Sequence, residues 1–330
     1  MKFIQQINLK YLQLNITFFA NLIIQTMKRE KIFDVFLFLN EFDLLELRLN
    51  TLYEFVDYFV ITELFESFSG ETKPLLFPKE KNRYKKYANK IIYNPVSREK
   101  LNDLSNKKFS DYVSDLNTSV TYQNKGKKYK YFHKTLKREV LHRDSAILGF
   151  FDIVKPNDFI LLSDLDEIPN PSALRKAILK EDKGISYFKM EWFLYWINNK
   201  ISKPWFGSVL LRFKSLKGKS LNQIRYASSN ENNVPGNIII NGGWHFSYMG
   251  GLDAIRKKLK AHPYQGRRIQ IASFLDKVRI RKFENVISKN KDIFFLNREF
   301  TFIDINKTFP SFILRNKKLL EKYAYKKKIL

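Results

Sequence analysis

Two aspartates, Asp164 and Asp166, stand one residue apart directly after an apolar run that ends at Ser163. In an extended backbone, residues i and i+2 project to the same side, so the two carboxylates would repel each other unless a cation lay between them. Carboxylates suit Mg²⁺ or Mn²⁺, and such an ion neutralises the charge that develops on a leaving diphosphate. The spacing therefore predicts a divalent-cation site, although an acidic turn that caps the next helix produces the same pattern.

His245 and the pair Arg143–Asp144 are the other candidates for a site. His245 follows Trp244 and two glycines, and glycines after a strand let the backbone approach a ligand closely. It fits either a third metal ligand or a core histidine that is hydrogen-bonded beside Trp244. Arg143 could pair with a diphosphate and Asp144 with a sugar or ribose hydroxyl, but an ordinary surface pair is the alternative.

The elements that must position these residues alternate between apolar strands and amphipathic helices. Residues 34–39, 42–55 and 58–62 predict a strand–helix–strand unit in which Asn40 caps the helix. Further strands are predicted at 91–93, 159–163, 185–196, 209–213 and 237–240, and further helices at 79–90, 131–151, 172–180, 252–260 and 266–290. This alternation indicates a single α/β domain with a helical C-terminal extension.

The chain divides by composition into three parts. Residues 1–26 form a leader outside the fold, residues 27–290 the folded domain, and residues 291–330 a basic extension. No apolar stretch reaches the roughly 20 residues that a membrane span needs. The chain has no cysteine, which excludes disulfides, thiolate zinc sites and a cysteine nucleophile.

The formal net charge is +26, and most of the lysines are spread along the whole sequence. Two clusters stand out, at residues 125–138 and from Arg315 to the end. They fit an anionic membrane surface, a nucleic acid or a phosphate-bearing substrate, and they also fit a composition bias that only maintains solubility.

Several motifs, taken in order, resemble glycosyltransferase family 17, whose members include the enzyme that adds the bisecting N-acetylglucosamine to N-glycans. They span roughly residues 31–290 and lie at 31–36, 40–50, 56–63, 68–70, 163–169 (Ser-Asp-Leu-Asp-Glu-Ile-Pro) and 243–248 (Gly-Trp-His-Phe-Ser-Tyr). The resemblance implies a GT-A-like fold with a mixed, mostly parallel central sheet. It also implies an inverting transfer from a UDP-sugar, with UDP-GlcNAc as the expected donor.

The resemblance also assigns roles to individual residues. Asp164 and Asp166 would hold Mn²⁺ or Mg²⁺ as a DxD motif, with His245 on the metal or the diphosphate. The donor-binding residues would be Asn40, Glu41 and Glu63 near the nucleoside, Arg143 and Asp144 at the diphosphate and sugar, and Trp244 beside His245.

An inverting transfer needs a base, and a carboxylate usually serves. Glu191 is the predicted base and Glu231 the alternative, while a buried Glu191 paired with a lysine or arginine is the competing interpretation. Trp192, Trp196 and Trp205 are expected either to stack on acceptor sugars or to belong to the core.

The chain departs from the animal members of the family, which are anchored Golgi proteins with lumenal cysteines. We therefore expect a bacterial or viral relative on the cytoplasmic side, peripheral on the inner face of a membrane. Its expected acceptor is a glycan, a lipid-linked sugar or a polysaccharide.

Two other functions use the same features. A nucleotidyltransferase or phosphohydrolase would use the two aspartates together with further acidic ligands on neighbouring strands. A basic nucleic-acid-binding protein would use the positive charge, but no known nucleic-acid-binding motif occurs in the sequence, so no nucleic-acid partner is expected.

Overall fold

The computed structural model describes residues 30–67, 70–114, 133–179, 184–227, 234–261, 267–278, 282–289, 291–294, 296 and 298–325. The chain forms two compact units, Met1–Lys31 and Ile32–Leu330. Only Glu30 and Lys31 of the first unit are described, so the predicted leader at 1–26 lies outside the described residues.

The predicted strand–helix–strand unit is present as strand β1 (Ile32–Leu37), helix α1 (Phe42–Leu52) and strand β2 (Tyr58–Leu64). β1 is buried on both faces. Phe33 and Val35 enter one hydrophobic core, whereas Ile32 and Phe36 enter a second core that α1 covers. This near-continuous apolar run is typical of a parallel strand with helices on both sides.

The remaining strands of the described chain are, in chain order, β3 (Ile91–Val96), β4 (Phe159–Leu162), β5 (Glu167–Pro169), β6 (Ser186–Leu194), β7 (Asn199–Ile201), β8 (Trp205–Arg212), β9 (Asn237–Ile239), β10 (Gly243–Ser247) and β11 (Phe300–Phe302). Their order along the sheet is β11-β7-β6-β8-β4-β1-β2-β3, with β10 between β5 and β6 and with β9 on β6. β4, β1, β2 and β3 run parallel, and β8 joins β4 in antiparallel orientation. The expected GT-A-like α/β fold with a mixed sheet is confirmed.

The described helices after α1 are α2 (Phe77–Glu80), α3 (Arg98–Leu101), α4 (His133–Asp144), α5 (Pro171–Leu179), α6 (Leu221–Tyr226), α7 (Gly251–Ala261), α8 (Arg267–Lys277), α9 (Phe283–Ser288), α10 (Ser311–Arg315) and α11 (Lys317–Tyr323). The predicted helix at 131–151 changes at Ser145 to a 3₁₀ turn. The predicted helix at 266–290 is two helices, and the one at 79–90 is largely 3₁₀. None of the described helices is long and apolar enough to cross a bilayer.

The described residues after 290 belong to the same compact unit as those before it, and the division of the chain at residue 290 stays a prediction. β11 pairs with β7 at the edge of the sheet. At the other end of this segment, the Tyr323 hydroxyl and the Lys322 ammonium both bind Asp43 at the start of α1. The basic composition of this segment concealed its buried residues, Ile313 and Leu319, which pack into the core against α1.

Candidate functional site

The Asp164–Asp166 segment leaves the carboxyl end of β4 as a short loop and re-enters the sheet as β5. β4 lies between β1 and β8, where the strand connections change direction. Open α/β sheets bind ligands at such points. β5 pairs with β10, which places His245 directly opposite Glu167. The fold therefore brings the loop and the Trp244–His245 segment to the same edge of the sheet.

Arg48 of α1 fixes the backbone of this loop. It is fully buried and forms a two-pronged ion pair with Asp34 of β1, in which its Nε donates to Asp34 Oδ2 at 2.8 Å. Its remaining N–H groups donate to four acceptors in the loop, namely the Ser163 hydroxyl and the carbonyl oxygens of Asp164, Leu165 and Glu167. An arginine suits this task because its planar fork offers five donors in a fixed geometry.

Asp164 is held by two guanidinium groups. Arg143 contacts both of its carboxylate oxygens, at 2.5 and 3.2 Å, and Arg225 of α6 contacts Oδ2 at 3.2 Å. Desolvation raises the pKa of Asp164, but the two arginines outweigh it and hold the pKa well below its ordinary value. Asp164 is thus a carboxylate at neutral pH, and its side chain is one-third exposed.

Asp166 carries a different set of partners. The Lys258 ammonium of α7 lies 2.7 Å from its Oδ2, and His245 Nε2 lies 3.6 Å from its Oδ1. Burial raises the pKa of Asp166, but Lys258 and then His245 lower it far more, so Asp166 is also ionised. Glu41 extends the same cluster, with its Oε1 3.8 Å from the Lys258 ammonium.

Glu167 organises the floor of the site. Its side chain is fully buried, and it accepts hydrogen bonds from the Asp164 amide at 2.9 Å and from the Trp205 indole at 2.6 Å. Arg225 binds the same carboxylate and so links Glu167 with Asp164. Gly207 lies against Glu167, and a Cβ at that position would come 2.3 Å from the carboxyl group, so only glycine fits there.

Two of the three predicted metal ligands, Asp166 and His245, are placed so that they could bind one divalent ion. Two ligand atoms on one Mg²⁺ ion, each about 2.1 Å from it, lie about 3–4 Å apart, and Asp166 Oδ1 and His245 Nε2 have this separation. The buried Nδ1 of His245 lacks a hydrogen-bond partner in the described part of the chain. Mg²⁺ is typically held by one or two carboxylates and completed by substrate phosphates and water.

Asp164 does not complete a three-residue ligand set in this structure because its oxygens face Arg143 and Arg225. Within the described ranges, no group of three or more His, Asp or Glu side chains is arranged to hold a metal ion. Asp166 and His245 are therefore the residues that would hold an ion, with Asp164 beside them.

Glu191 and Trp244 lie on the opposite face of the sheet from His245. β6 and β10 are parallel, with Glu191 beside Trp244 and Trp192 beside His245. Because side chains alternate along a strand, Glu191 points away from the cluster, where it pairs with Lys200 at 2.5 Å. Trp244 is buried in the core. Neither Glu191 nor Trp244 thus lies on the face that carries His245, and their roles as base and donor contact stay predictions.

The face that carries His245 presents an aromatic cluster instead. The ring centroids of Trp192 and His245 are 5.8 Å apart and nearly parallel, and Trp205 lies 4.5 Å from His245. Arg298 covers the Trp192 ring at 5.4 Å. Trp196 is not in this cluster, and it packs on Tyr325.

The residues predicted around the nucleoside divide into two groups. Asn40 lines a cavity of about 190 Å³, whose other lining residues are Leu39, Ser67, Glu71, Thr72, Lys73, Leu76, Lys257 and Lys260. Asn40 does not cap α1, because Glu41 occupies the cap position and no side chain bonds there. Glu63 is fully buried and accepts from Lys73, Tyr93 and the amides of Leu76 and Phe77, so it anchors the wall of this cavity.

Asp144 lies outside the cluster. Its two oxygens accept the amides of Asn222, at the start of α6, and Ser114. It therefore fixes the start of α6, the helix that carries Arg225, and both of its oxygens are directed at backbone amides. Glu231, the alternative base, lies outside the described residues.

Three cationic residues of the site had no role assigned from the sequence: Arg48, Arg225 and Lys258. Arg48 could have been recognised from the sequence, because an arginine on the apolar face of an amphipathic helix needs a buried acidic residue as its partner. Arg225 follows Ser220-x-x-Gln223, a capping box that would have placed a helix there. Lys258 is one of several lysines in α7, and the pattern does not distinguish it from its exposed neighbours.

A family model described as Glycosyltransferase family 17 matches residues 21–117 and 106–319 of the chain, and the two matches together cover most of it. They include the acidic loop, the Trp244–His245 strand and the helices that carry Arg48, Arg225 and Lys258. The resemblance seen in the sequence motifs is confirmed. A comparison with curated proteins finds no match.

Proposed function

Because this chain belongs to glycosyltransferase family 17, we propose that it is an inverting enzyme that transfers GlcNAc from UDP-GlcNAc. The acceptor in this proposal is a glycan, a lipid-linked sugar or a polysaccharide. Membership of the family makes the chain a glycosyltransferase, and the donor, acceptor and stereochemistry are our proposal, which extends what the resemblance to this family implies.

One observation supports the proposal above all others. Asp166, after the carboxyl end of β4, and His245 of β10 are buried side by side, and both Asp166 and the nearby Asp164 are carboxylates. Mn²⁺ or Mg²⁺ held by Asp166 and His245 would stabilise the negative charge of the departing diphosphate. The two arginines on Asp164 keep that carboxylate in one orientation beside the ion's position.

The donor would lie across the ends of β1, β2 and β4. In this proposal the cavity beside Asn40 takes the nucleoside end, and Lys73 and Lys257 at its rim attract the phosphates. Glu63 holds Lys73 at 3.0 Å and so keeps one of these charges in place. Glu41, at the start of α1, lies between this cavity and Asp166.

The acceptor would approach from the face that carries Trp192 and Trp205. Indole rings offer flat apolar surfaces for sugar rings, and both rings are partly exposed beside His245. We place the reaction on the cytoplasmic side with peripheral contact to an anionic membrane, since the chain is basic and has no cysteine.

The test is to incubate the purified chain with a panel of sugar nucleotides and Mn²⁺ and to measure free nucleotide. We expect UDP from UDP-GlcNAc, and we expect EDTA to stop its release. Release of a nucleoside monophosphate would instead indicate a nucleotidyltransferase or phosphohydrolase. Full turnover in the presence of chelator would contradict the proposed role of the ion.

A further inference from the structure

Lys258 lies beside the position where a divalent ion would bind, on the same carboxylate. Its ammonium is 2.7 Å from Asp166 Oδ2 and 3.8 Å from Glu41 Oε1, and the ring of Tyr248 lies 5.3 Å away. It is thus surrounded by two carboxylates and an aromatic face. Its own charge compensates one of the carboxylates that would attract the ion.

The neighbouring lysines of α7 provide a comparison. Lys260 pairs with Glu71 at 3.4 Å, but both side chains are well exposed, at 73% and 60%, so solvent and salt screen that pair. Asp166 is only 8% exposed, and its attraction for Lys258 is screened much less. Of the two, only Lys258 therefore acts on the acidic loop.

An ammonium and a divalent ion cannot both bind Asp166 without repelling each other. An ion between Asp166 Oδ1 and His245 Nε2 would lie within a few ångströms of the ammonium on Oδ2 of the same carboxylate. At such distances, charges that are shielded from water interact strongly. In the absence of donor, the ion must therefore either displace the Lys258 ammonium or bind more weakly because of the repulsion.

We propose that Lys258 is a resident counter-cation that competes with the divalent ion for Asp166. In the absence of donor it neutralises Asp166 and weakens binding of the free ion. When the donor diphosphate enters, it brings new negative charge, which accommodates both cations and lets Lys258 contact a phosphate oxygen. Metal and donor therefore bind cooperatively. This inference rests on the proposed function, because it assumes that the ion and a diphosphate share the site.

The experiment is a titration of the full-length chain with Mn²⁺ in the absence of nucleotide, followed by the electron paramagnetic resonance signal of free Mn²⁺. Wild type, Lys258→Met and the matched control Lys260→Met are compared at equal ionic strength. We expect Lys258→Met to bind Mn²⁺ at least ~10-fold more tightly than wild type. Lys260→Met should stay within about 2-fold of wild type because its pair is exposed.

Lys258→Arg provides a second variant, which also serves if the methionine variant fails to fold. It keeps the positive charge and should leave Mn²⁺ affinity within about 3-fold of wild type. Near-ultraviolet circular dichroism checks that each variant is folded. Equal or weaker Mn²⁺ binding by Lys258→Met would overturn the inference, as would the absence of Mn²⁺ binding by both proteins.

The experiments distinguish failure of the transferase proposal from failure of the proposed competition between Lys258 and the ion. If UDP-GlcNAc is turned over but Lys258→Met does not change Mn²⁺ affinity, the transferase proposal stands and the competition is wrong. If no sugar nucleotide is turned over while Lys258→Met binds Mn²⁺ more tightly, the ion site stands without the proposed reaction.

Discussion

Arg48 and Asp34 form an ion pair between α1 and β1 in which both side chains are completely buried. The pair does more than join a helix to a strand, because the same guanidinium donates to the carbonyl oxygens of Asp164 and Glu167. The backbone of the acidic loop is therefore held by a residue that lies more than 100 positions earlier in the sequence. Arg48 is a positioning residue for Asp164 and Asp166.

Replacing Arg48 with Met should destabilise the fold by about 3–5 kcal/mol, because Asp34 is left as an unpaired buried charge. Chemical denaturation measures this loss. The double variant Asp34→Leu with Arg48→Met should recover much of the stability, since no buried charge remains. It should not recover donor turnover, because the loop carbonyls still lack their donor. A double variant with wild-type turnover would show that Arg48 serves stability alone.

Asp166→Asn should reduce release of UDP from UDP-GlcNAc by at least ~100-fold, because a neutral amide binds a divalent ion more weakly than a carboxylate does and cannot balance the charge of Lys258. Nucleotide release under saturating Mn²⁺ measures the effect. Asp152→Asn is the matched control, since Asp152 is 77% exposed and pairs with the surface residue Lys108. Comparable turnover by the two variants would remove Asp166 from the proposed mechanism.

Glu191→Gln should leave donor turnover within about 3-fold of wild type. Glu191 faces away from His245 and pairs with Lys200 at a half-exposed position, and such pairs contribute little. The measurement is the initial rate of nucleotide release with an acceptor present. A loss of 100-fold or more, with the fold intact, would return Glu191 to the role of catalytic base.

Asp144 should make stability depend on pH between about 4 and 6. Burial raises its pKa to about 6, although the amides of Asn222 and Ser114 oppose the shift. Because the folded pKa lies above the ordinary value near 4, its stabilising contribution is complete below pH 4. It is lost as the pH rises through 6.

Denaturation of wild type and Asp144→Asn at pH 4 and pH 7 measures this effect. The stability of wild type relative to the variant should fall by ~2–3 kcal/mol between the two conditions. Asp152→Asn, at an exposed position, should show no such change. A wild-type advantage that is equal at both pH values would mean that the Asp144 carboxyl titrates as it does in water.

The parallel half of the fold could be predicted from the sequence, because the local sequence patterns there agree with the burial of each element in the folded chain. The apolar runs of β1, β2 and β4 are long and buried on both faces, and Asn170-Pro171 opens α5 as predicted, with Asn170 accepting from the Ser172 amide. β10 was missed as a strand because Gly242 and Gly243 read as a loop. Both glycines allow close packing, against Lys189 and Ile168 respectively.

The acidic residues of the candidate site could be predicted from the sequence, whereas its basic residues could not. Asp164 and Asp166 stand out because carboxylates directly after an apolar strand are costly without partners. Arg225 and Lys258 come from segments 61 and 92 residues away, and they meet the loop only in three dimensions. The face on which Glu191 lies depends on its register with β10, which a single sequence does not specify.

The contacts of α10 and α11 with α1 affect how this chain folds during its synthesis. Asp43, next to the first strand, receives Lys322 and Tyr323 from nearly the last described residues. A nascent chain on the ribosome can begin its parallel sheet early but cannot close the outer surface of its first helix until residues 311–323 have emerged. Until then the apolar face of α1 remains available to chaperones, and a chain truncated before residue 311 would leave it uncovered.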